Sequence, residues 1–274
     1  MSHFKLSEEQ SKEIVKCSRS FSYFCENHVK VRSYSVTHPS AQQLPFQLYP
    51  FQEAMSDHWN NTTYSICCKF RQGGFTTTAV MYGLWTCLFQ IDKRVLYVAK
   101  TDREARDASG LVNYALSLMP DWMKGLSSKS DHRKKFDTGS SMAFLAFEAS
   151  CGSAADLLII DEAAFIKDME KHWMAMWPVL STGGRLILQS TVNTDEDWFW
   201  DRVIDTRAGV GKMVEFRCHY KDRPEFDDPN WEREMRRNVG SGWDSEFLQK
   251  PKSKVIEATP QVKRKQKWRG ITDD

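Results

Sequence analysis

Two segments constrain this chain more than all the rest: CCKFRQGGFTTTAV over Cys67–Val80 and LLIIDEAAFI over Leu157–Ile166. The first passes from an apolar run through a Gly73-Gly74 turn into a Thr-rich stretch, the pattern of a buried strand, a tight loop and a helix start. The second is four aliphatic residues ending in Asp161-Glu162. Glycines let backbone N–H groups close on an anion, and the amino end of a helix favours negative charge. A strand tip with two carboxylates adds a magnesium-holding acid and a base for water. Together these are the minimal equipment for binding and hydrolysing a nucleoside triphosphate. One residue is out of place. The usual loop, G-x-x-x-x-G-K-[ST], has a lysine before its hydroxyl, and here Phe75 stands in that position. Thr76 keeps the hydroxyl, so the missing charge is expected from Lys69 at the front of the loop, which a curled backbone would bring to the same phosphates.

The rest of the chain reads as a scaffold for such a site. Apolar runs at Tyr64–Phe70, Arg94–Val98, Met142–Phe147, Leu157–Ile160 and Arg185–Gln189 alternate with helical stretches. The helical stretches are Leu48–Asn60, Thr76–Phe89, Thr101–Leu118 and Met169–Trp177. Alternation of this kind predicts an α/β fold, with a mainly parallel central sheet flanked by helices. Runs such as LLII lack polar alternation, as expected of strands covered on both faces. Ser7 and Gln10 form a capping-box signature for a helix running toward Phe24. Val29–Pro45 reads as a polar connector and Pro120–Asp137 as a charged excursion. Beyond the central series, Trp198–Val203 and Pro229–Asn238 read as helices and Met213–Cys218 as a strand. The expected division is residues 1–45 as amino-terminal helix and connector, 46–195 as a P-loop core, 196–250 as a small second lobe, and 251–274 as a basic flexible tail. A length of 274 residues suits one large domain with such a lobe.

Composition narrows the setting. A formal net charge of +2 does not announce a nucleic-acid binder, although a local basic patch is compatible with it. Seven cysteines occur with no C-x-x-C spacing, which points to reduced thiols rather than a disulfide or metal framework. Met1–Lys16 is charged and has no apolar core of a signal peptide. Nothing reaches the roughly 18 to 20 apolar residues of a membrane span. The chain is expected to be soluble and intracellular.

The run KFRQGGFTT resembles the deviant phosphate loop of the large terminase subunits of tailed bacteriophages, motors that package DNA into capsids. Many members read R-Q-x-G-K-[ST]-T, matched by Arg71-Gln72-Gly73-Gly74-Phe75-Thr76-Thr77; others move the lysine to the front of the loop and put an aromatic residue before the hydroxyl. D-E-A-A-F after four aliphatics is similar to the family's acidic strand tip. Leu48-Tyr49-Pro50-Phe51-Gln52 resembles its adenine-reading segment, Gln189-Ser190-Thr191-Val192-Asn193 its coupling motif, and Ser20–Val31 its aromatic amino-terminal helix. The likeness runs over roughly residues 20 to 250.

The resemblance implies a P-loop NTPase of the ASCE type that hydrolyses ATP with Mg²⁺. Lys69, Arg71, Gln72, Gly73, Gly74, Phe75, Thr76 and Thr77 would surround the phosphates, with Gln52 at the base. Thr76 and Asp161 would hold the metal, and Glu162 would activate the attacking water. Arg71 would stabilise charge in the transition state; its other reading is a salt bridge to Asp161-Glu162. Ser190 and Thr191 would couple hydrolysis to movement; their other reading is a helix cap. Implied partners are double-stranded DNA held by its backbone, a portal protein, a small terminase subunit and further copies in a ring on the procapsid, in the host cytoplasm and away from membranes.

Two departures stand beside these matches. Phe75 replaces the lysine, and Cys151-Gly152 stands where the family often has Arg-Gly, an arginine that can serve a neighbouring subunit. Arg133, Lys134, Arg202 and Arg207 are candidate substitutes. Nothing after Lys250 offers the sheet and clustered acids of the family's RNase-H-like nuclease, so no DNA cleavage is expected. The rival readings are another P-loop DNA translocase or helicase-like ATPase, and a degenerate P-loop scaffold that binds DNA or partners without turnover.

Overall fold

The aliphatic runs become strands because helices cover both of their faces. In a computed structural model of the chain, describing residues 6–35, 38–149, 154–181 and 183–253, ten strands are present among those residues. They are β1 (Lys30–Ser35), β2 (His38–Pro45), β3 (Tyr64–Cys68), β4 (Arg94–Ala99), β5 (Leu126–Lys129), β6 (Arg133–Phe136), β7 (Ser141–Ala146), β8 (Leu157–Asp161), β9 (Arg185–Ser190) and β10 (Val214–Glu215). Eight form one sheet in the order β10-β3-β9-β8-β4-β7-β6-β5. The ladders from β10 through to β7 are all parallel. This is the mainly parallel α/β arrangement expected, and β9 lies between β3, which leads into the glycine loop, and the acid-bearing β8.

Successive residues of a strand point to opposite faces, and the core divides accordingly. Cys67, Val95, Tyr97, Leu157, Ile159 and Ile187 pack on one face with the helices Phe21–His28, Pro50–Asn61, Phe75–Phe89 and Asp102–Leu118. Ile66, Cys68, Leu96, Val98, Leu158, Ile160 and Leu188 pack on the other, with the helices Met169–Ser181 and Trp198–Arg207. Helix Phe75–Phe89 is apolar around its whole circumference and is buried along its length. It therefore starts at the Gly73-Gly74 turn from a fixed base.

Several boundaries differ from the sequence reading. The first helix is two, Glu8–Arg19 and Phe21–His28. Ser20 is extended between them, and its hydroxyl accepts from the Tyr23 N–H at 3.0 Å, so one serine ends the first helix and caps the second. The stretch read as a connector, Val29–Pro45, holds the antiparallel pair β1–β2, with Val31 opposite Leu44. A polar two-stranded ribbon carries no strong apolar alternation, which is why its strands escape a hydrophobicity reading. The charged excursion contains helix Asp121–Lys124 and the antiparallel pair β5–β6, extending the sheet beyond β7. Its exposed Lys129 lies on the edge strand β5, where charge discourages edge-to-edge pairing. The strand expected at Met213–Cys218 shrinks to the two residues of β10.

The chain after β10 returns to the loop. Tyr220, Phe226, Trp243 and Phe247 are buried and continuous with the first core face. Phe226 stacks on Trp231 with centroids 3.9 Å apart, and Phe70 of the loop meets Phe226 edge-on at 6.3 Å. The tail expected from 251 lies, from residue 254 onward, outside the described residues.

Candidate active site

Strands β3, β8 and β9 end side by side, and their last residues make the site. The loop Lys69–Gly74 links β3 to helix Phe75–Phe89 and lines a cavity of about 390 Å³ with Phe75, Thr76, Glu162 and Thr191. The loop curls as its glycines require. Gly74 has φ of +75°, and a Cβ at Gly73 would lie 2.3 Å from the Phe75 ring. Gln72, at φ of +61°, takes the left-handed conformation without being glycine, a strained backbone state typical of ligand-binding loops.

Lys69 faces into the site. Its Nζ lies 2.5 Å from Asp161 Oδ1 and 2.8 Å from Glu162 Oε1, and its side chain is only 5% exposed. Burial works against the ammonium charge, but Asp161 and Glu162 outweigh it and raise its pKa. Burial alone would push the Asp161 carboxyl up; Lys69, then Thr76 and Tyr97, hold it below the ordinary carboxylate value. Asp161 Oδ2 accepts from Thr76 Oγ1 at 2.6 Å and from Tyr97 Oη at 2.9 Å, and Oδ1 accepts from Gln189 Nε2 at 3.1 Å. Thr76 and Asp161 thus present a hydroxyl and a carboxylate oxygen side by side, the hard donors that suit Mg²⁺.

Glu162 stands at the end of β8 with φ of +53°, so the chain turns sharply and its carboxylate comes back over the site. Its Oε2 accepts from Thr191 Oγ1 at 3.2 Å, from the Thr191 N–H at 3.3 Å and from Ser190 Oγ at 3.3 Å. Ser190 Oγ also accepts from the Ala164 N–H at 3.1 Å. The serine and threonine expected to cap a helix or to sense the nucleotide are therefore in direct contact with the second acid.

Other expected residues sit elsewhere. The Phe75 ring is buried against Phe51 and Phe70, with centroids 5.6 and 5.1 Å away, so it anchors the loop to the core. Thr77 lines a neighbouring groove with Arg32 and Tyr114. Gln52 is buried and spans two backbone groups: Nε2 donates to Gly73 O at 2.9 Å and Oε1 accepts from the Tyr49 N–H at 3.0 Å. Arg71 does not reach Asp161 or Glu162. Its guanidinium is paired with Glu246 at 3.1 Å, and its backbone N–H donates to Glu246 O at 2.8 Å. The salt bridge that the sequence offered as its other reading is not formed. Of the candidate substitutes for the Cys151-position arginine, Lys134 is fully buried, with Nζ donating to Ser109 Oγ and Ser130 O. Arg202 and Arg207 are engaged with Asp205 and Glu215. Cys151-Gly152 lies outside the described residues.

Sequence reasoning missed Tyr97 and Gln189 as partners of Asp161. Only the strand register brings them together: in the parallel ladders Asp161 lies opposite Gln189, and Tyr97 is opposite Ile159, two residues before the acid. It also missed Arg223, which donates to Gln72 O, and Gln249, whose Nε2 donates to Cys68 O and Cys218 O at 3.0 Å.

No family model matches the chain. Solved structures do. The large terminase ATPase domain of Thermus phage P74-26 superposes with a TM-score of 0.62 at 18% identity, over 75% of this chain and 94% of that one. The large terminase of bacteriophage HK97 gives a TM-score of 0.67 at 15% identity, over 85% of this chain and 55% of that one. This is the terminase ATPase fold. A large terminase from a thermophilic bacteriophage, solved with ATP-gamma-S, gives 0.58 at 16% identity, over 74% of this chain and 52% of that one. The chain spans about half the length of those last two terminases.

Proposed function

We propose that this chain is the ATP-hydrolysing motor domain of a viral DNA-packaging terminase, drawing double-stranded DNA into a procapsid. One observation carries the reading: the Lys69 ammonium lies within 3 Å of both acids at the floor of a glycine-loop cavity. The displaced lysine supplies the charge that Phe75 cannot. The P-loop fold, shared with a terminase solved with ATP-gamma-S, supports the same conclusion.

In this reading the ATP phosphates lie in the cavity between Lys69 and Thr76. Gly73 and Gly74 offer backbone N–H groups, and Gln72, Phe75 and Thr77 shape the turn around them. Thr76 Oγ1 and Asp161 Oδ2 would hold Mg²⁺, which supplies charge neutralisation at the phosphates. Asp161 stays ionised because Lys69, Thr76 and Tyr97 stabilise the charged form. Glu162, held by Ser190 and Thr191, orients the attacking water and takes its proton. Gln52 braces the loop through one amide hydrogen and meets the base with the other. Arg71 exchanges Glu246 for the γ-phosphate, whose higher charge makes it the stronger partner. Ser190 and Thr191 feel the state of Glu162 and pass it along the chain.

DNA contact is to the backbone, sequence-indifferent and salt-sensitive. The portal protein, the small terminase subunit and further copies in a ring complete the machine in the host cytoplasm, and residues 196–250 act as its smaller lobe. ATP hydrolysis by wild type and by Glu162→Gln, with DNA and procapsids present, tests the reading. Wild type should turn over and bind nucleotide, and Glu162→Gln should bind but lose at least about 100-fold in turnover. A wild type inactive under every condition would leave the non-hydrolysing scaffold in its place.

A further inference from the structure

Away from the loop, the two amino-terminal helices bring three ligand-type side chains to one point. Glu13 and Cys17 lie one turn apart on helix Glu8–Arg19, and His28 ends the helix that follows. A carboxylate oxygen of Glu13, the Cys17 sulfur and a ring nitrogen of His28 all lie within 4.8 Å of one another. We propose that Glu13, Cys17 and His28 form a zinc-type site, binding one borderline divalent cation with water as the fourth ligand.

The donor set makes the choice of cation. Thiolate, imidazole and carboxylate together suit Zn²⁺ in a tetrahedral shell, whereas Mg²⁺ takes oxygen and rejects sulfur. Bonds of about 2.0–2.3 Å give ligand-to-ligand edges of roughly 3.3–3.8 Å in a tetrahedron. Closing the present triangle onto a cation therefore takes shifts on the order of an ångström or less. The carboxylate is already oriented, because Tyr23 Oη donates to both Glu13 oxygens at 2.9 and 3.1 Å; outer hydrogen bonds of this kind fix metal ligands. His28 Nε2 points at Glu13 Oε1 from 2.8 Å, so the cation would replace an existing bond in line with it. Cys17 is fully buried, while His28 and Glu13 keep 12% and 22% of their side-chain surface, which leaves a way in. On coordination Cys17 releases its proton to solvent. Lys16 Nζ, 3.4 Å from Glu13 Oε2, opposes the cation; its side chain is exposed and can swing into water.

The site would act on structure, away from the phosphates. Cys17 O accepts from Trp85 Nε1 at 2.8 Å, and the Phe21 ring packs edge-on against Tyr82 and Trp85. Both belong to helix Phe75–Phe89, which begins at the phosphate loop. A bound cation would staple the two amino-terminal helices together over that helix.

The test titrates the full chain, stripped with a chelator and dialysed, with Co²⁺ and then Zn²⁺, keeping Mg²⁺ in excess throughout. Thiolate-to-cobalt charge-transfer absorption should saturate at one equivalent and be displaced by Zn²⁺, and Zn²⁺ should raise the thermal unfolding midpoint. Cys17→Ser should abolish the absorption. His28→Gln, at a partly exposed ring, should abolish the melting shift while far-ultraviolet circular dichroism stays that of wild type. Absorption absent from wild type, absorption surviving Cys17→Ser through another cysteine, or a melting shift unchanged in His28→Gln would each overturn the proposal. None of these readouts depends on nucleotide hydrolysis, so the two proposals fail separately.

Discussion

Lys69 and Arg71 sit two residues apart in one loop and live in different media. Lys69 is 5% exposed between Asp161 and Glu162, while Arg71 is 62% exposed beside Glu246. Charges taken out of water are costly, and removing one partner strands the rest; a pair at the surface is screened and contributes little. The floor of the loop is thus fixed architecture and its crown is replaceable contact. In the proposed reading the ammonium at the floor meets a phosphate without travelling, whereas the guanidinium at the crown changes partner at small cost.

Breaking the floor should have the largest effect. Lys69→Met leaves Asp161 without its main compensating charge and should cost roughly 3–5 kcal/mol, read from the denaturant midpoint, together with loss of turnover. Phe75→Ala empties the ring's place between Phe51 and Phe70 and should cost a similar ~3–5 kcal/mol. The double change Lys69→Ala/Phe75→Lys sharpens the point: it restores the usual loop spelling, yet turnover should not return, because position 75 points into the aromatic core. Tyr97→Phe removes one hydrogen bond to the Asp161 carboxylate and should cost about 1.5–3 kcal/mol.

The pH profile separates the two media as well. Asp161 is depressed below its ordinary 3.8, so its contribution is complete above that value and is lost as pH falls through the depressed one. Lys69 is raised above 10.5, so its contribution is complete below 10.5 and is lost as pH rises through the raised value. Between those limits this pair should give a flat stability profile; Lys69→Met should abolish the alkaline fall and, with burial no longer offset by the ammonium, change the acid limb set by Asp161. The smallest change in stability belongs to Arg71→Ala, within about 0.5 kcal/mol in urea unfolding. Its turnover should nonetheless fall by orders of magnitude if the arginine works on the γ-phosphate. A large stability loss in that variant would erase the distinction between floor and crown.

How legible these features were follows from how far apart the interacting residues lie. Strands buried on both faces announce themselves, because runs such as Leu157–Ile160 cannot alternate. The front-of-loop lysine was readable because Phe75 left a charge unaccounted for within a few residues. By contrast, β1–β2 and β5–β6 are ribbons whose polar faces carry no period strong enough to see. Tyr97 looks like any strand aromatic until the β4–β8 register brings it within reach of Asp161. The Arg71–Glu246 pair spans 175 residues of sequence, and both partners are ordinary surface charges that no local pattern joins. The resemblance implies Gln52 at the base; only tertiary packing reveals that it braces Gly73 O.

The position of β9 has a mechanical consequence. The lysine-bearing and acid-bearing strands are not neighbours, since Gln189 of β9 pairs with Cys67 on one side and Asp161 on the other. Prising the two apart would shear a ladder, so the freer displacement is a tilt of the short tip beyond Ser190. That tip is itself tethered, with the Lys252 N–H donating to Asn193 O at 2.9 Å and the Asp195 N–H to Lys252 O at 3.3 Å. The Glu162 carboxylate is thereby joined by hydrogen bonds, through about five residues, to the segment where the chain heads toward its carboxyl terminus.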